Sequence, residues 1–449
     1  MRFRTHQAVT VLLAFHLLGS LLVTAVTPSA DAQKSKQPDD PMPVSVAKNG
    51  FTPEQVKDFI SRYSYDEGLK GGDVSLWSFL NLNQVQRTAT IARSGEVVLL
   101  EKALNPKLGK FKINGKHGEL TLAEYLVHPK SRAQGFIVIH QGKIVFEEYP
   151  GMREYDSHVW MSNAKTAASL VIALLEADGK IDVTKPMETY LPGFKGSEWA
   201  GTKVIDILDM ASGMDIVETH ENRMNKRSAI ARFNLATVGE KNLDGIIETQ
   251  TDVVRSVRRK RKAGEAFEYS SLNTMMLVYL AEAVSGKQWA DLFRERVWSK
   301  LTAEGDAFIG LSPDGFAQGY GLLNSRLRDL ARYGLLHTPS WNKAAREKVL
   351  PEGYIRRLQT EGRKGIFLKG EIGNRLMKSY FPASPPVANS RQWDGVFADG
   401  DLYKGGVYGQ GIYVSPDKDL VICWFSTNLS SDLTQYARTI ALSYPASVK

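Results

Sequence analysis

A serine followed three residues later by a lysine can supply a nucleophile and its base, and the sequence contains this spacing at four places. The pairs are Ser45/Lys48, Ser162/Lys165, Ser340/Lys343 and Ser415/Lys418. On a helix, residues i and i+3 share a face, so the lysine amine can reach the serine hydroxyl and take its proton. The same spacing also arises when a capping serine is followed by a solvated lysine. The context of each pair must therefore decide.

Only Ser162 opens a long apolar segment. The stretch KTAASLVIALLEADGK that follows it is apolar on nearly every face, which predicts a buried helix with Gly179 at its C-terminal cap. The other three serines lie in polar or proline-containing stretches. A helix N-terminus also favours developing negative charge. Ser162 and Lys165 are therefore the candidate catalytic pair.

Two later motifs contain groups that could complete a serine hydrolase site. Tyr269 and Asn273, in FEYSSLNT, come just before the apolar helical stretch MMLVYLAEAV. Lys404, Gly405 and Gly406, in YKGGVYGQG, are predicted at the start of a C-terminal strand. Glycines there would let backbone N–H groups approach a substrate closely and hold an oxyanion. Taken alone, Tyr269 could equally be a packing aromatic and the glycines a turn.

The elements that must position these residues form an α/β pattern. GFIVIHQGKIVFEEY predicts two strands joined by a tight Gln-Gly turn. GGVYGQGIYVSPDKDLVICWFSTN predicts two more strands that turn at SPDKD, and DLTQYARTIALSY predicts a final helix. Helical segments fill the middle of the chain. Strands at both ends with helices between them indicate one sheet that the C-terminal strands complete.

The N-terminus predicts export. Arg2 and Arg4 precede an apolar run over residues 8–26, and an Ala-x-Ala cleavage signal ends at Ala32. We expect cleavage before Gln33 and an exported protein, periplasmic or secreted. An uncleaved N-terminal membrane anchor is the alternative. No later apolar run is long enough to span a bilayer, so no further membrane insertion is expected.

Composition argues against several other function classes. Of the 449 residues, 43% are hydrophobic and 24% charged, as in an ordinary globular protein. One cysteine, Cys423, allows no intramolecular disulfide and is expected to be a small buried hydrophobe. The eight histidines form no cluster with ligand spacing, and neither HExxH nor CxxC occurs. A metal site is therefore not expected.

The formal net charge is +8, and six of the eight residues from Arg255 to Lys262 are basic. A solvated loop is the plainer interpretation of this basic run. The alternative is a rim that attracts anionic substrates, because the run ends shortly before Tyr269. No nucleic-acid partner is expected for an exported chain without a recognisable binding motif.

Five segments, in this order and at this spacing, resemble the serine β-lactamase-related hydrolases of the class C type. That group includes penicillin-binding DD-peptidases, family VIII esterases and 6-aminohexanoate-dimer hydrolases. The segments are HVWMSNAKTAASLVIALLEADGKID, VIDILDMASGMD, FEYSSLNTMMLVYLAEAVSGK, LLNSRLRDLARYGLL and GGVYGQGIYVSPDKDLVICWFS. The last four are most similar to the 6-aminohexanoate-dimer hydrolase branch. The resemblance extends from about Gly135 to Asn428.

The resemblance implies a β-lactamase/penicillin-binding-protein-like fold of the α/β (α+β) class. An antiparallel sheet flanked by helices, with a helical subdomain, is expected. The chain would divide into a signal peptide at 1–32, an N-terminal linker and extension of unknown role at 33–114, and the hydrolase domain at 115–449. The resemblance implies no metal and no organic cofactor. The expected ligand is a small-molecule or peptide-like amide or ester, and the sequence does not indicate an oligomeric state.

Residue by residue, the resemblance makes Ser162 the nucleophile that forms an acyl-enzyme, and Lys165 the adjacent base. Tyr269 matches the tyrosine of the Tyr-x-Asn motif and would assist proton transfer. Lys404–Gly406 matches the Lys-Thr-Gly motif, which puts Val407 at the oxyanion-hole position. The backbone N–H groups of Ser162 and Val407 would then hold the oxyanion.

The chain departs from the family pattern at two positions. The third residue of Tyr-x-Asn is Ser271, with Asn273 two residues later, and Gly405 replaces a Thr or Ser whose hydroxyl often binds a substrate carboxylate. SLN would also fit the Ser-x-Asn of class A enzymes, but the Glu-x-x-x-Asn pattern that those enzymes need downstream does not follow it, and the match at Glu101 to Asn105 precedes the nucleophile. A true β-lactamase or DD-peptidase is therefore an alternative, as is a non-catalytic protein that holds cell-wall peptides.

Overall fold

The structure is a computed structural model that describes residues 41–370, 372–428 and 432–446. The segment from Pro41 onward forms one compact unit, which includes the described part of the extension at 33–114. The expected signal peptide at 1–32 lies outside the described residues. Among the described residues, no helix has both the length and the apolar character needed to cross a bilayer.

The strands are β1 Thr88–Ile91, β2 Lys112–Gly115, β3 Gly118–Thr121, β4 Ala133–His140, β5 Lys143–Glu148, β6 His158–Val159, β7 Ala307–Gly310, β8 Leu323–Ser325, β9 Ala388–Ser390, β10 Trp393–Val396, β11 Leu402–Gly406, β12 Gln410–Ser415 and β13 Leu420–Ser426. The α-helices are α1 Ser45–Asn49, α2 Pro53–Arg62, α3 Tyr65–Gly68, α4 Asp73–Ser78, α5 Leu122–Val127, α6 Ala164–Ala177, α7 Val204–Leu208, α8 His220–Met224, α9 Ala229–Val238, α10 Gln250–Ser256, α11 Ser271–Ser285, α12 Trp289–Arg296, α13 Leu327–Leu335, α14 Tyr354–Thr360, α15 Lys364–Phe367, α16 Gly373–Tyr380 and α17 Asp432–Ser443.

The central sheet is antiparallel, in the order β5-β4-β13-β12-β11-β10-β9. The β4–β5 hairpin turns at Gln141 and Gly142, whose φ angles of 51° and 73° are those of the mirror-image turns that match strand twist. Strand β13 pairs with β12 on one side and with β4 on the other. The C-terminal strands therefore complete the sheet that the β4–β5 hairpin begins, which confirms the sequence prediction.

Side-chain alternation along β13 shows why helices cover both faces of this sheet. Val421 and Cys423 belong to the same apolar cluster as Leu330 of α13, whereas Ile422 belongs to the cluster that contains Tyr436 of α17. Successive residues of a strand point to opposite faces, so a strand that is apolar throughout needs a partner on each side. Cys423 is fully buried, as predicted.

The helical subdomain implied by the resemblance occupies the stretch between β6 and β7. It contains α6 through α12, with α6 packed against α11 and α12. A smaller sheet has the strand order β1-β7-β8-β6. Its strands come directly before and after these helices in the sequence, apart from β1, which lies further upstream. Both α6 and α11 are buried along most of their length, which agrees with their uninterrupted apolar sequences.

One predicted placement is wrong. Lys404–Gly406 lies at the end of β11, not at the start of a strand. The strand continues through these glycines because Gly405 pairs with Gly411 and Gly406 pairs with Gln410 of β12. Val407 therefore begins the β11–β12 turn, where the backbone leaves the sheet.

Candidate active site

The turn that carries Ser162 is held in a strained conformation. A 3₁₀ turn, Met161–Asn163, precedes α6, and Met161 has a φ of 48°, in the left-handed region that non-glycine residues rarely adopt. Trp160 anchors the turn, because its backbone N–H donates to the Leu323 carbonyl at 2.7 Å. The turn leaves Ser162 partly exposed in a cavity, while Lys165 on the first turn of α6 is fully buried.

The amine of Lys165 is surrounded by oxygen atoms. Its Nζ donates to the Tyr320 carbonyl at 2.6 Å, and it lies 3.1 Å from Ser271 Oγ and 3.0 Å from Ser162 Oγ. A neutral amine has N–H groups for the first two of these oxygens and a lone pair left for the third. In that state the lone pair faces the Ser162 hydroxyl, as proton removal requires.

Burial lowers the pKa of Lys165 to about 7. Glu218 opposes this shift, and the nearby positive charge of Lys404 adds to it. A large fraction of the Lys165 side chains is therefore neutral at neutral pH. The site thus supplies a lysine base without requiring alkaline conditions.

Tyr269 contacts the nucleophile from the other side. Its hydroxyl is hydrogen-bonded to Ser162, and Lys404 Nζ lies 3.3 Å from the same phenol oxygen. Burial raises the pKa of Tyr269 well above its usual value, so the phenol stays protonated. Lys404 is buried in an ion pair with Asp394, with Nζ–O distances of 2.7 and 2.8 Å. Tyr269 is thus a neutral proton donor held beside a cation.

Strand β11 passes close to the nucleophile turn at Gly406. A Cβ atom on Gly406 would lie 2.8 Å from Met161 Cβ and 3.0 Å from the Trp160 carbonyl oxygen. The absence of a side chain is therefore what allows this approach. It places Val407 and Ser162 on the wall of the same cavity, where their backbone N–H groups are candidates for an oxyanion hole.

The two candidates for the third position of the tyrosine motif have different environments. Ser271 lines the cavity and contacts Lys165, whereas the Asn273 side chain is buried elsewhere and its amide has no hydrogen-bond partner among the described residues. Since both lie in the first turn of α11, the helix can turn only one of them toward Lys165. Asn273 is therefore not brought together with the other site residues.

The sequence did not indicate several groups that contact the predicted site residues. Glu218 accepts a hydrogen bond from the Ser271 backbone N–H and pairs with Arg223. Asp394 neutralises Lys404, and the Tyr320 carbonyl accepts from Lys165. None of these residues stands in a recognisable motif. The available signal was indirect: a buried Lys404 requires a carboxylate partner from elsewhere in the chain.

The cavity in front of Ser162 has a volume of about 210 Å³. Part of its wall comes from the N-terminal extension, through residues that share an aromatic or aliphatic character: Tyr63, Tyr65, Leu69, Phe79 and Leu82. The extension therefore forms part of the wall of the site, and the sequence did not indicate this role.

None of the residues of the basic run lines this cavity. Arg259 donates to Thr202 Oγ1 at 2.8 Å and to the Ser212 carbonyl at 3.0 Å, and Arg261 pairs with Glu268 at 2.7 Å. The residues of the run that line an opening, Arg259 and Lys262, line a different cleft. None of these contacts tests the alternative of a cationic rim, which stays a prediction because Arg258 of the run is 85% exposed.

Among the residues that the structure describes, no group of three or more His, Cys, Asp or Glu side chains is arranged to hold a metal ion.

Comparison with known proteins identifies the family. The sequence profile of the Beta-lactamase family matches residues 126–444. The chain belongs to the beta-lactamase family. It is a serine hydrolase, of the class that includes amidases and esterases.

Relatives within this family are distant in sequence. The 6-aminohexanoate-dimer hydrolase of Paenarthrobacter ureafaciens is 25% identical over 353 residues, which cover 78% of this chain and 85% of that protein. A Bacillus anthracis structure, described as a candidate 6-aminohexanoate-dimer hydrolase, has a TM-score of 0.69 at 23% identity and covers 82% of this chain and 93% of its own. A candidate beta-lactamase of Bacteroides dorei DSM 17855 has a TM-score of 0.52 at 16% identity and covers 69% and 93%. The two structures show the shared fold.

One departure from the beta-lactamase family pattern has a steric explanation. A Cβ atom on Gly405 would collide with the hydroxyl group of Tyr403, two residues earlier in the same strand. The Thr or Ser of the usual motif does not fit here without moving this aromatic side chain. With glycine at this position, the chain lacks the motif hydroxyl that often binds a substrate carboxylate.

Proposed function

We propose that this protein is an exported hydrolase that cleaves an amide or ester bond through an acyl-enzyme on Ser162. The observation that carries the proposal is the environment of Lys165. Its buried amine, with a pKa near 7, contacts the Ser162 hydroxyl and has other acceptors for its N–H groups. A structural lysine on a helix would more usually extend into solvent and keep its charge.

In the first half of the reaction, Ser162 Oγ attacks the substrate carbonyl carbon and Lys165 takes the hydroxyl proton. The carbonyl oxygen becomes an oxyanion, for which the backbone N–H groups of Ser162 and Val407 are the proposed donors. Loss of one such donor typically costs about 3 kcal/mol of transition-state stabilisation. When the tetrahedral intermediate collapses, the leaving amine or alcohol receives a proton from Lys165 or, through it, from Tyr269.

In the second half, water attacks the acyl-enzyme carbonyl carbon. The same Lys165–Tyr269 pair accepts the proton of that water, and the ester bond to Ser162 Oγ breaks. Ser162 recovers its proton and the acid product leaves. Lys404, paired with Asp394, would hold the Tyr269 phenol in position and favour transfer of its proton by stabilising negative charge on the oxygen.

A fluorophosphonate probe tests the nucleophile. We expect the purified protein to be labelled on the peptide that contains Ser162, and Ser162→Ala to lose both label and turnover while it folds normally. Ser45→Ala is a matched control, since Ser45 belongs to another Ser-x-x-Lys pair on the short helix α1. An unlabelled Ser162 would instead favour the non-catalytic protein that holds cell-wall peptides.

Lysine substitutions test the base. Lys165→Arg is expected to be nearly as inactive as Lys165→Ala, because arginine keeps a charge but does not release its proton in a protein. Substantial turnover by the arginine variant would show that Lys165 acts through its charge and not as a proton acceptor.

The proposal of an amidase or esterase is preferred to a β-lactamase or DD-peptidase because Gly405 lacks the motif hydroxyl that often binds a substrate carboxylate. A hydrolysis screen should include nitrophenyl esters, linear amide oligomers, nitrocefin and D-amino-acid peptides. Turnover of the esters or linear amides with little turnover of nitrocefin is the expected result. Efficient cleavage of nitrocefin would reverse this preference.

Export is a separate part of the proposal and rests on the sequence of the first 32 residues. Expression of the full chain in a bacterial host should give a processed protein outside the cytoplasm, and mass spectrometry should find Gln33 at its N-terminus. An intact N-terminus in the membrane fraction would support the uncleaved anchor.

A further inference from the structure

Part of the cavity wall is built by the segment that precedes the family domain. The family profile begins at residue 126, whereas Tyr63, Leu69, Phe79 and Leu82 lie before it and line the cavity. The catalytic residues therefore come from the part of the chain that the family shares. Part of the apolar lining comes from a segment that lies outside it, beside residues of the domain such as Leu322 and Ile372.

Contacts on both sides of the nucleophile hold this segment in place. The Phe79 carbonyl accepts from the Val159 backbone N–H at 2.9 Å, two residues before the strained turn. The Tyr408 hydroxyl donates to the Leu69 carbonyl, directly after the oxyanion-hole candidate Val407. The wall is thus attached to the two elements that carry the candidate reacting groups, and its residues line the same cavity.

The charged groups on the cavity wall are already paired. Among the described residues these are Glu218, Arg223 and Asp394; the first two pair with each other, and Asp394 pairs with Lys404. Burial lowers the pKa of Lys165 to about 7, so its amine is uncharged above that pH. The lining tyrosines also stay protonated: burial raises the pKa of Tyr63 to about 12. The cavity therefore has no net charge to offer a charged substrate group.

We propose that the N-terminal segment, through Leu69, Phe79 and Leu82, makes this hydrolase selective for substrates whose acyl chain is neutral and apolar to its end. A charged group in the same place would lose its hydration and gain no partner, which is costly in a cavity of this kind. The proposal rests on the hydrolase activity proposed above and specifies its substrate. It also separates this chain from its 6-aminohexanoate-dimer relative, whose named substrate carries an amine and a carboxylate.

Three nitrophenyl esters of equal acyl length test the selectivity: hexanoate, which ends in a methyl group, the adipate monoester, which ends in a carboxylate, and 6-aminohexanoate, which ends in an ammonium. We expect kcat/KM for hexanoate to exceed both others by about tenfold or more, because an unpaired charge is desolvated on binding. Equal values for the three esters would overturn the proposal. So would a preference for the adipate ester, which would show that Arg223 takes the carboxylate in spite of Glu218.

Leu69→Asp tests the role of the wall. Leu69 is only partly buried, so the substitution is compatible with folding. The new carboxylate should attract the ammonium group and lower the ratio of kcat/KM for hexanoate to kcat/KM for 6-aminohexanoate several-fold. Leu99→Asp is the matched control, because Leu99 is 73% exposed, precedes the family domain in the same way and does not line the cavity. If Leu69→Asp leaves both the kcat/KM ratios and the melting temperature unchanged, the wall does not select the substrate.

Leu82→Ala provides a second variant that adds no charge. It should enlarge the cavity and raise the ratio of kcat/KM for the laurate ester to kcat/KM for the hexanoate ester. An unchanged ratio would show that Leu82 does not limit the acyl group that the cavity accepts. Failure of this proposal is distinguishable from failure of the proposed function. If Ser162 is labelled and all esters are cleaved without preference, only the selectivity is wrong. If no ester is cleaved and Ser162 stays unlabelled, the hydrolase mechanism itself is wrong, and the selectivity falls with it.

Discussion

Lys165 has a property at the residue scale that can be measured directly, since its pKa lies within the range of ordinary assays. Below a pH of about 7 the amine is protonated and has no lone pair for the Ser162 proton; above it the amine is neutral. We therefore expect kcat/KM to rise with pH through about 7 and then to level off, because the base is active in its deprotonated form.

The pH profile should be measured on a neutral ester whose own ionisation does not change in this range. A matched profile of the Ser45→Ala variant controls for general effects of substitution. If kcat/KM of the wild type does not change across neutral pH, Lys165 does not act as the base with the pKa that its burial implies.

Ser271 is expected to position Lys165, although the family pattern has an asparagine at this place. Its Oγ lies 3.1 Å from Lys165 Nζ and accepts an N–H group, which leaves the lone pair directed at Ser162. Ser271→Ala should lower kcat by about tenfold or more, because it removes one hydrogen bond that contributes about 1–2 kcal/mol. KM should change little.

Two observations separate positioning by Ser271 from a structural role. An acceptor stabilises the ammonium form of Lys165 more than the amine, so its removal should move the rising limb of the pH profile to lower pH. Ser271→Thr keeps the hydroxyl and should recover part of the activity. A variant that loses stability but keeps the wild-type pH profile would show a merely structural role.

Residues of the site differ in how far they were predictable. Ser162, Lys165 and Tyr269 could be found because their motifs have short spacing and lie next to long apolar helices. Glu218 and Asp394 could not, because each contributes one carboxylate from a segment with no motif. Their importance appears only when the fold brings a buried lysine or a backbone N–H beside them. The residue type predicts Asn273 at the site, whereas the helix geometry turns Ser271 toward Lys165.

At the scale of elements, the contact between β11 and the nucleophile turn depends on one glycine. Gly406→Ala would place a methyl group 2.8 Å from Met161 Cβ, so either the turn or the strand must move. Such overpacking typically costs about 1–3 kcal/mol of stability. We expect a lower melting temperature and a larger loss in kcat than in KM, because the oxyanion-hole geometry is disturbed more than the cavity.

Gly365→Ala is the matched control for that substitution. Gly365 lies in α15, and a Cβ atom there would meet no atom within 4 Å. It should leave both kcat and the melting temperature close to their wild-type values. Wild-type kcat in Gly406→Ala would mean that the turn adapts and that its observed conformation is not required for catalysis.

Elements with strong local signals were predicted well. The β4–β5 hairpin, the β12–β13 pair and α6 each have an apolar pattern closed by a turn or by a capping glycine, so neighbouring residues determine them. The course of residues 41–114 was predictable only in part. Helix α2 has local signals, a proline at its start and a capping box between Thr52 and Gln55, and the sequence PEQVKDFISRY predicts it. The packing of the stretch against the domain depends instead on distant partners, such as Arg132, which donates to the Met42 carbonyl at 3.1 Å.

At the scale of the whole molecule, the positive charge of the basic run serves to join segments of the chain. The Arg259 guanidinium donates to Thr202 Oγ1 and to carbonyls of Glu198 and Ser212, and so connects residues that are far apart in sequence. Arg258, the adjacent residue, is 85% exposed. The same charge in the same run therefore has two different environments.

We expect Arg259→Ala to destabilise the protein by about 1–3 kcal/mol, because it leaves partly buried acceptors without their donor. Arg258→Ala removes an equal charge from a solvated side chain and should change the free energy of unfolding by less than about 0.5 kcal/mol. Denaturant unfolding of the two variants provides the comparison. An equal loss of stability in both variants would assign the effect to net charge.

Neither variant should change kcat/KM for an anionic ester at low ionic strength, since the run does not line the catalytic cavity. A loss of kcat/KM that disappears as salt is added would instead support the cationic rim, because screening removes long-range attraction over a Debye length of about 10 Å at 0.1 M.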